Sequence, residues 1–277
     1  MTGSLFDAVD NAIRDAATHA VIPRWRALTA GAISEKSPGD WVTDADHQCE
    51  ELLTAALSVL DPGVPVIGEE ASASDPSRLR DAEQHDRVWL LDPVDGTKSF
   101  IDGSPDFATM VALVQDNLVT AAWIWQPAHG RMFTARRGLG AFADGMRVEP
   151  PLPGEDRTTS VCGVLRSRYM PPELREAALH GFTAAGLESV DVTAAGVVYP
   201  MVATGALTYA LYWRTLPWDH APGTLIAQES GLSVARLDGS EYRPWDARYG
   251  VLTAANQEAW DAVRGALPSD VDDSATA

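Results

Sequence analysis

Cysteine is scarce in this sequence: Cys49 and Cys162 are the two in 277 residues. They lie far apart, with no C-x-x-C spacing. That excludes a disulfide-stapled scaffold and reads as free thiols in a reducing, cytoplasmic compartment. Each is expected to be a small hydrophobe of the interior. No apolar stretch runs to the ~20 residues that a membrane-spanning helix needs. The first ten residues carry Asp7 and Asp10 and lack a basic start followed by an apolar run, so no secretory leader is expected. Basic residues are few, 21 Lys and Arg against 39 Asp and Glu, for a formal charge of −18. Such a surface repels nucleic acid and anionic lipid unless a basic patch compensates, and Arg136-Arg137 is the longest basic run. Neither nucleic acid nor membrane is therefore expected as a partner.

What is present is ordinary globular composition. Hydrophobic residues make up 45%, enough to bury a core in one large domain or two subdomains. Residues 5–28 carry Leu5, Val9, Ile13, Ala16, Ala17 and Ala20 at helical spacing, with Pro23 set to kink or divide the helix. Asp44 or Asp46 is placed to cap a second helix through Leu52 and Ala56. Residues 64–67 and 87–91 read as short strands, the second stopped by Asp92-Pro93. The polar stretch 72–86 between them reads as a surface excursion. Residues 107–114, 118–126 and 131–135 read as consecutive strands, turning at Asp116-Asn117 and His129-Gly130, with a further hairpin at Asp144-Gly145. Residues 150–156, rich in proline, mark the expected boundary between an N-terminal α+β unit (1–150) and a C-terminal α/β unit (151–267). In the second unit strands are expected at 159–164, 189–192 and 206–212, and helices at 173–185, 194–203, 220–230 and 257–267. Residues 268–277 read as a disordered acidic tail. The alternation predicts a layered α/β (α+β) fold.

Three segments put carboxylates where an apolar strand ends or a helix begins. They are Val66-Ile67-Gly68-Glu69-Glu70, then Leu90-Leu91-Asp92-Pro93-Val94-Asp95-Gly96-Thr97, then Leu216-Pro217-Trp218-Asp219. Strand ends are where layered α/β folds build sites. In the second segment a turn at Pro93 can aim Asp92 and Asp95 at one point, with the Val94 carbonyl between them. Gly96 lacks a Cβ, Thr97 offers a hydroxyl, and a helix starting there would present free N–H groups to a phosphate. Two like charges ~4 Å apart repel by ~4 kcal/mol at an effective dielectric of ~20. Converging carboxylates must therefore take up protons or cations. Hard oxygen donors without His or Cys select Mg²⁺, Mn²⁺ or Ca²⁺ over zinc.

These residues resemble the inositol monophosphatase family of Mg²⁺-dependent, lithium-sensitive phosphatases. The resemblance covers nearly the whole chain except the tail. It runs from Glu35-Lys36-Ser37-Pro38-Gly39-Asp40-Trp41-Val42-Thr43-Asp44-Ala45-Asp46 through Gly68-Glu69-Glu70 and Asp92-Pro93-Val94-Asp95-Gly96-Thr97. It then takes in Gly138-Leu139-Gly140-Ala141-Phe142 and Trp218-Asp219-His220-Ala221-Pro222-Gly223. It implies an α-β-α-β-α sandwich of the sugar-phosphatase type and hydrolysis of a small polyol phosphate such as inositol-1-phosphate. Glu69, Asp92 and the Val94 carbonyl would hold one Mg²⁺. Asp92, Asp95 and Asp219 would hold a second, and a third, weaker ion would sit on Glu69 through waters. Asp46 and Thr97, with Glu69, would orient and deprotonate the attacking water, and the Gly96 and Thr97 N–H groups would receive the phosphate. Family relatives are often dimers, which leaves monomer and homodimer open.

Two departures bear on the substrate. Tyr212 stands where the inositol enzymes have a Glu contacting substrate hydroxyls. Pro222 replaces the usual Ala and is expected in a first helical turn, where proline is tolerated. Lys98-Ser99-Phe100 is closer to the histidinol-phosphate phosphatase branch, which is the alternative reading. Lys36 reads equally as exposed or as a neighbour of the outer metal. Arg166, Arg168 and Arg214 read as surface charges before a second-anion site, and His220 as packing. An aspartyl-phosphate phosphatase wants Asp at i and i+2, unlike Asp92 and Asp95. An EF-hand starting at Asp44 lacks its Gly and Glu at Cys49 and Ala55. An inactive metal-binding scaffold is the remaining class.

Overall fold

The computed structural model describes residues 1–149, 161–192, 194–269 and 271. Helix α1 (Gly3–Ala16) is capped by Thr2 and buries Val9, Ile13 and Ala16 along one face. Its path continues through a π-helical turn (Ala17–Val21) and a 3₁₀ turn (Ile22–Arg24) that contains Pro23, where it stops. A hairpin of β1 (Ile33–Ser37) and β2 (Asp40–Thr43) leads into α2 (Asp44–Leu60). The cap of α2 is Thr43 rather than Asp44 or Asp46. Asp46 is the third helical residue and closes a capping box back onto Thr43.

Next come β3 (Val66–Gly68), α3 (Glu69–Ser74), α4 (Ser77–Ala82), β4 (Arg87–Asp95) and α5 (Thr97–Ile101). The stretch 72–86, expected as a polar excursion, is therefore largely helical. The strands β5 (Ala108–Gln115), β6 (Leu118–Gln126), β7 (Arg131–Arg136), β8 (Gly140–Ala143) and β9 (Met146–Arg147) follow. They join in sequence order after β3 and β4, and every pairing is antiparallel except β3 with β4. The turns fall at Asp116-Asn117 and Asp144-Gly145, all four at positive φ, as tight hairpins require.

The expected boundary at 150–156 lies outside the described residues. Beyond it are β10 (Cys162–Arg166), α6 (Pro172–Ala184), β11 (Glu188–Ser189), α7 (Ala195–Ala203) and β12 (Tyr209–Tyr212). Then come α8 (Pro217–Glu229), β13 (Ser233–Arg236), β14 (Val251–Ala254) and α9 (Gln257–Gly265). The second sheet has the order β11-β10-β12-β14-β13, parallel across its first three strands. Helix α8 starts three residues earlier than expected, on Pro217. Pro222 therefore lies beyond the first turn and removes an N–H that would pair inside the helix, a correction to the sequence reading.

The sandwich is visible in where successive side chains go. Trp89 and Leu91 face a core with α1 and α2, whereas Val88 and Leu90 face α7 and α8. On the second sheet Ala210 and Tyr212 face that same middle layer, while Tyr209, Leu211 and Trp213 face α6 and α9. Period-two alternation thus builds three cores between five layers, α-β-α-β-α. Val271, expected in a disordered tail, is fully buried in the outer core. The rest of the tail beyond it is outside the described residues. Among the described residues no helix is long and apolar enough to cross a membrane.

Candidate active site

Strand β4 does not stop at Asp92-Pro93. It runs to Asp95, with Asp92 opposite Met110 and Asp95 opposite Ala108. Three steps on β4 thus match two on β5, a bulge of one residue. Without it, residues three apart would point to opposite faces. With it, Asp92 and Asp95 share the face of Met110 and Ala108, toward the middle layer. The Thr109 hydroxyl pins the bulge by donating to the Pro93 carbonyl at 2.9 Å. Pro93 fits there because a bulge needs no N–H from it.

Asp92 is buried, and its Oδ1 has no hydrogen-bond partner among the described residues. Burial raises its pKa well above the ordinary carboxylate value, and the charges of Glu69, Asp95, Asp219 and Asp46 push it the same way. Asp95 is held by α7: the Ala195 N–H donates to Oδ1 at 3.2 Å and the Gly196 N–H to Oδ2 at 2.6 Å. Burial outweighs those bonds and lifts its carboxyl to about 7. Asp219, in the first turn of α8, is raised by burial and then by Glu69 and Asp95. So Asp92 lies within the field of Glu69, Asp95, Asp219 and Asp46. Among the described residues, however, no three His, Cys, Asp or Glu side chains are drawn together tightly enough to hold an ion. The chemistry of the group, hard oxygens with one buried carboxylate oxygen unpartnered, fits a divalent cation.

Glu69 starts α3 and is anchored from two sides. Lys36 of β1 donates to Glu69 Oε1 at 2.7 Å and to Glu70 Oε1 at 2.9 Å. Lys36 is therefore no exposed lysine. Burial would lower its pKa, but the two carboxylates outweigh burial and hold it above the ordinary value. The second anchor, Glu50 of α2, was missed in the sequence. Its carboxylate accepts the Glu70 and Ala71 N–H groups, each at 2.8 Å, and so caps α3. Gly68 allows this, because a Cβ there would stand 2.2 Å from the Glu50 carboxyl carbon.

Asp46 is fully buried. Its Oδ2 accepts from the Thr43 N–H at 2.8 Å and hydroxyl at 2.6 Å. Burial nevertheless raises its carboxyl to about 7. The Thr97 hydroxyl reaches its other oxygen and the Val94 carbonyl. Gly96 sits at φ +85° before α5, with Ala194 Cβ only 2.8 Å from where its own Cβ would be. Glycine is thus required both by conformation and by space.

A cleft of about 180 Å³ opens beside Asp95 and Asp219. Tyr212, Arg166, Arg168, Tyr169 and Arg214 line it, so the three arginines read as surface charges converge on the site. The Tyr212 hydroxyl is buried and has no hydrogen-bond partner among the described residues. His220 packs behind, its ring nitrogens 3.1 Å from the Tyr199 hydroxyl and the Arg214 carbonyl. Burial drops its pKa to about 3, so the ring is neutral.

The likeness to known proteins is extensive. A model of the inositol monophosphatase family matches residues 4–270. An inositol-1-monophosphatase of Mesorhizobium japonicum is 31% identical over 76% of this chain and 77% of its own. A histidinol-phosphatase of Mycobacterium tuberculosis is 34% identical over 72% of this chain and 75% of its own. The crystal structure of a staphylococcal IMPase-I in complex with products superposes with TM-score 0.79, covering 98% of this chain and 97% of that one at 20% identity. The chain therefore belongs to the inositol monophosphatase family and, with it, to the metal-dependent phosphoric monoester hydrolases.

Proposed function

We propose that the protein hydrolyses the phosphate monoester of a small polyol, with two divalent cations, Mg²⁺ by the family pattern, and a third, weaker one near Glu69. The observation that carries this reading is the unpartnered, buried Asp92 oxygen among four other carboxylates. Leaving that group buried without a compensating charge is unfavourable. On this reading Glu69, Asp92 and the Val94 carbonyl hold one ion, and Asp92, Asp95 and Asp219 the other. Bound there, the cations would neutralise phosphate charge, acidify a water and stabilise the departing alkoxide.

The chain's own residues do the remaining work. Asp46, lifted to about 7, accepts a proton near neutral pH, and the Thr97 hydroxyl between Asp46 and Val94 aims the water. The first-turn N–H groups of α5, behind Gly96, have no partner within the helix and receive phosphate oxygens. Two unpaired cysteines, Cys49 buried and Cys162 half-buried, agree with a reducing cytoplasm. Inositol-1-phosphate is the first substrate to try. Histidinol phosphate is the second reading, favoured by the 34% identical relative.

The test is phosphate release from both compounds across a Mg²⁺ titration. Turnover that rises with Mg²⁺ and vanishes on chelation is expected. Turnover indifferent to chelation rejects the reading.

A further inference from the structure

The cleft beside Asp95 and Asp219 has a second character. Arg166 ends β10, Arg214 follows β12, and Arg168 and Tyr169 lie between β10 and α6. Arg166 pairs in register with Tyr212 on the adjacent parallel strand, so both side chains leave the sheet on the middle-layer face. Arg168 is committed to structure. It donates to the Pro38 and Gly39 carbonyls at 2.6 and 3.3 Å, in space that a Cβ on Gly39 would occupy. Arg214 stacks its guanidinium 3.9 Å from the Tyr169 ring centre, which fixes the group without using its N–H donors. Among the described residues, the one salt bridge of Arg166 is to Asp191 at 4.0 Å, whose side chain is 96% exposed, and its charge also acts on Asp95. Among the described residues, neither the Arg166 nor the Arg214 guanidinium has a hydrogen-bond acceptor. The Tyr212 hydroxyl is likewise unpartnered although the residue is only 5% exposed.

Charge sharpens the point. Three arginines and three carboxylates, Asp40, Asp95 and Asp219, line this cleft. Asp95 and Asp219 belong to the cation set. That leaves Asp40 against three positive charges, inside a chain of net charge −18. A local positive cleft in an acidic protein is a site for an anion.

We propose that this cleft selects phosphate monoesters carrying a second anionic group, carboxylate or phosphate, at the end away from the reacting ester. Arg166 and Arg214 supply paired N–H donors to it. The same groups disfavour an ammonium there, so amino-alcohol phosphates are poor substrates. The inference rests on the hydrolase reading and adds its substrate class.

Matched probes test it with the intact protein and Mg²⁺. Sorbitol 6-phosphate and 6-phosphogluconate differ by one carboxylate. Fructose 6-phosphate and fructose 1,6-bisphosphate differ by one phosphate, and glucose 6-phosphate and glucosamine 6-phosphate by one ammonium. A charge-assisted contact contributes about 1.5–3 kcal/mol, so kcat/KM should favour the doubly anionic member by about tenfold or more. Whichever of the first two pairs shows the larger gap identifies the second group. Glucosamine 6-phosphate should fall below glucose 6-phosphate. Arg214→Gln should collapse the anionic preference, and Arg214→Lys should restore part of it. Calorimetric binding of the same pairs reads the ratios even without turnover. Equal or reversed ratios in the wild-type protein overturn the proposal while leaving phosphatase activity standing. Absence of turnover on every compound removes the hydrolase reading instead, and the binding ratios then decide the anion site on their own.

Discussion

The Thr97 hydroxyl lies 3.3 Å from Asp46 Oδ1 and 3.0 Å from the Val94 carbonyl, joining a helix start to the strand end of the site across 51 residues of sequence. One hydroxyl proton cannot serve both acceptors fully, so the side chain is free to turn toward a third. Asp46→Asn should lower kcat by about 10²–10⁴, the usual worth of a general base. Because Asp46 also closes the capping box of α2, unfolding stability should drop by about 1 kcal/mol. Phosphate-release kinetics beside urea denaturation separates the two effects. A change in stability without a change in rate would remove Asp46 from the chemistry.

Asp92→Asn should act in opposite directions on folding and on metal response. In chelator it replaces a buried carboxyl crowded by Glu69, Asp95, Asp219 and Asp46, so the thermal midpoint should rise by a few degrees, about the effect of 1 kcal/mol. With saturating Mg²⁺ the wild-type midpoint should climb while the variant's barely moves. Differential scanning fluorimetry with and without Mg²⁺ reads both, and equal shifts in the two proteins would count against a cation at Asp92.

Glu50→Gln keeps size but leaves one of two N–H groups, Glu70 or Ala71, without its acceptor. The loss should be about 1–3 kcal/mol of stability. Since those N–H groups set the start of α3, Glu69 moves with them. The Mg²⁺ concentration for half-maximal rate should rise, with kcat at saturation changed less. Titrating Mg²⁺ at fixed substrate checks this split.

Gly96→Ala meets both Ala194 and the Asp106 carbonyl, the latter 2.9 Å from the added Cβ, and it forces φ +85° on a side chain. A strained conformation of this kind costs about 1–3 kcal/mol. Activity should fall further than stability, because relief of the clash displaces the turn proposed to receive the phosphate. Denaturation midpoints and rates on the same preparation test the order.

Asp246 offers a pH test outside the carboxylate cluster. Hydrogen bonds from Arg248, then the charge of buried Arg236, hold its carboxyl below the ordinary value. A folded-state pKa below the unfolded one contributes stability above the unfolded value, about 3.9, and loses it as pH falls through the folded value. Asp246→Asn should therefore flatten the acid limb of the stability profile below about pH 4. Urea midpoints from pH 3 to 7 measure it, and an unchanged limb would place the acid sensitivity elsewhere.

The layered fold was legible because it rests on local pattern. The helical spacing of Val9, Ile13 and Ala16 and the turn residues Asp116-Asn117 and Asp144-Gly145 each declare their geometry within a few positions. The carboxylate segments were legible as well, since apolar strands ending in Asp or Glu stand out. What stayed hidden depends on partners distant in sequence. Glu50 looks like any polar helical residue until α3 docks on it. Arg166 and Arg214 look like surface charges until two parallel strands bring them to one cleft. Helix α8 starts on Pro217, three residues before the expected position, and proline is favoured at a first helical position.

The single extra residue between Asp92 and Asp95 makes the site a matter of parity. Side chains on a strand alternate, so deleting either Pro93 or Val94 would straighten the strand and leave Asp92 and Asp95 two positions apart. Inserting one residue instead would send Asp95 toward the α1 and α2 side. Shortening by one therefore keeps both carboxylates on one face, whereas lengthening by one does so only where the opposing strand compensates. Homologous segments one residue longer should show a matching adjustment in the strand that carries Thr109.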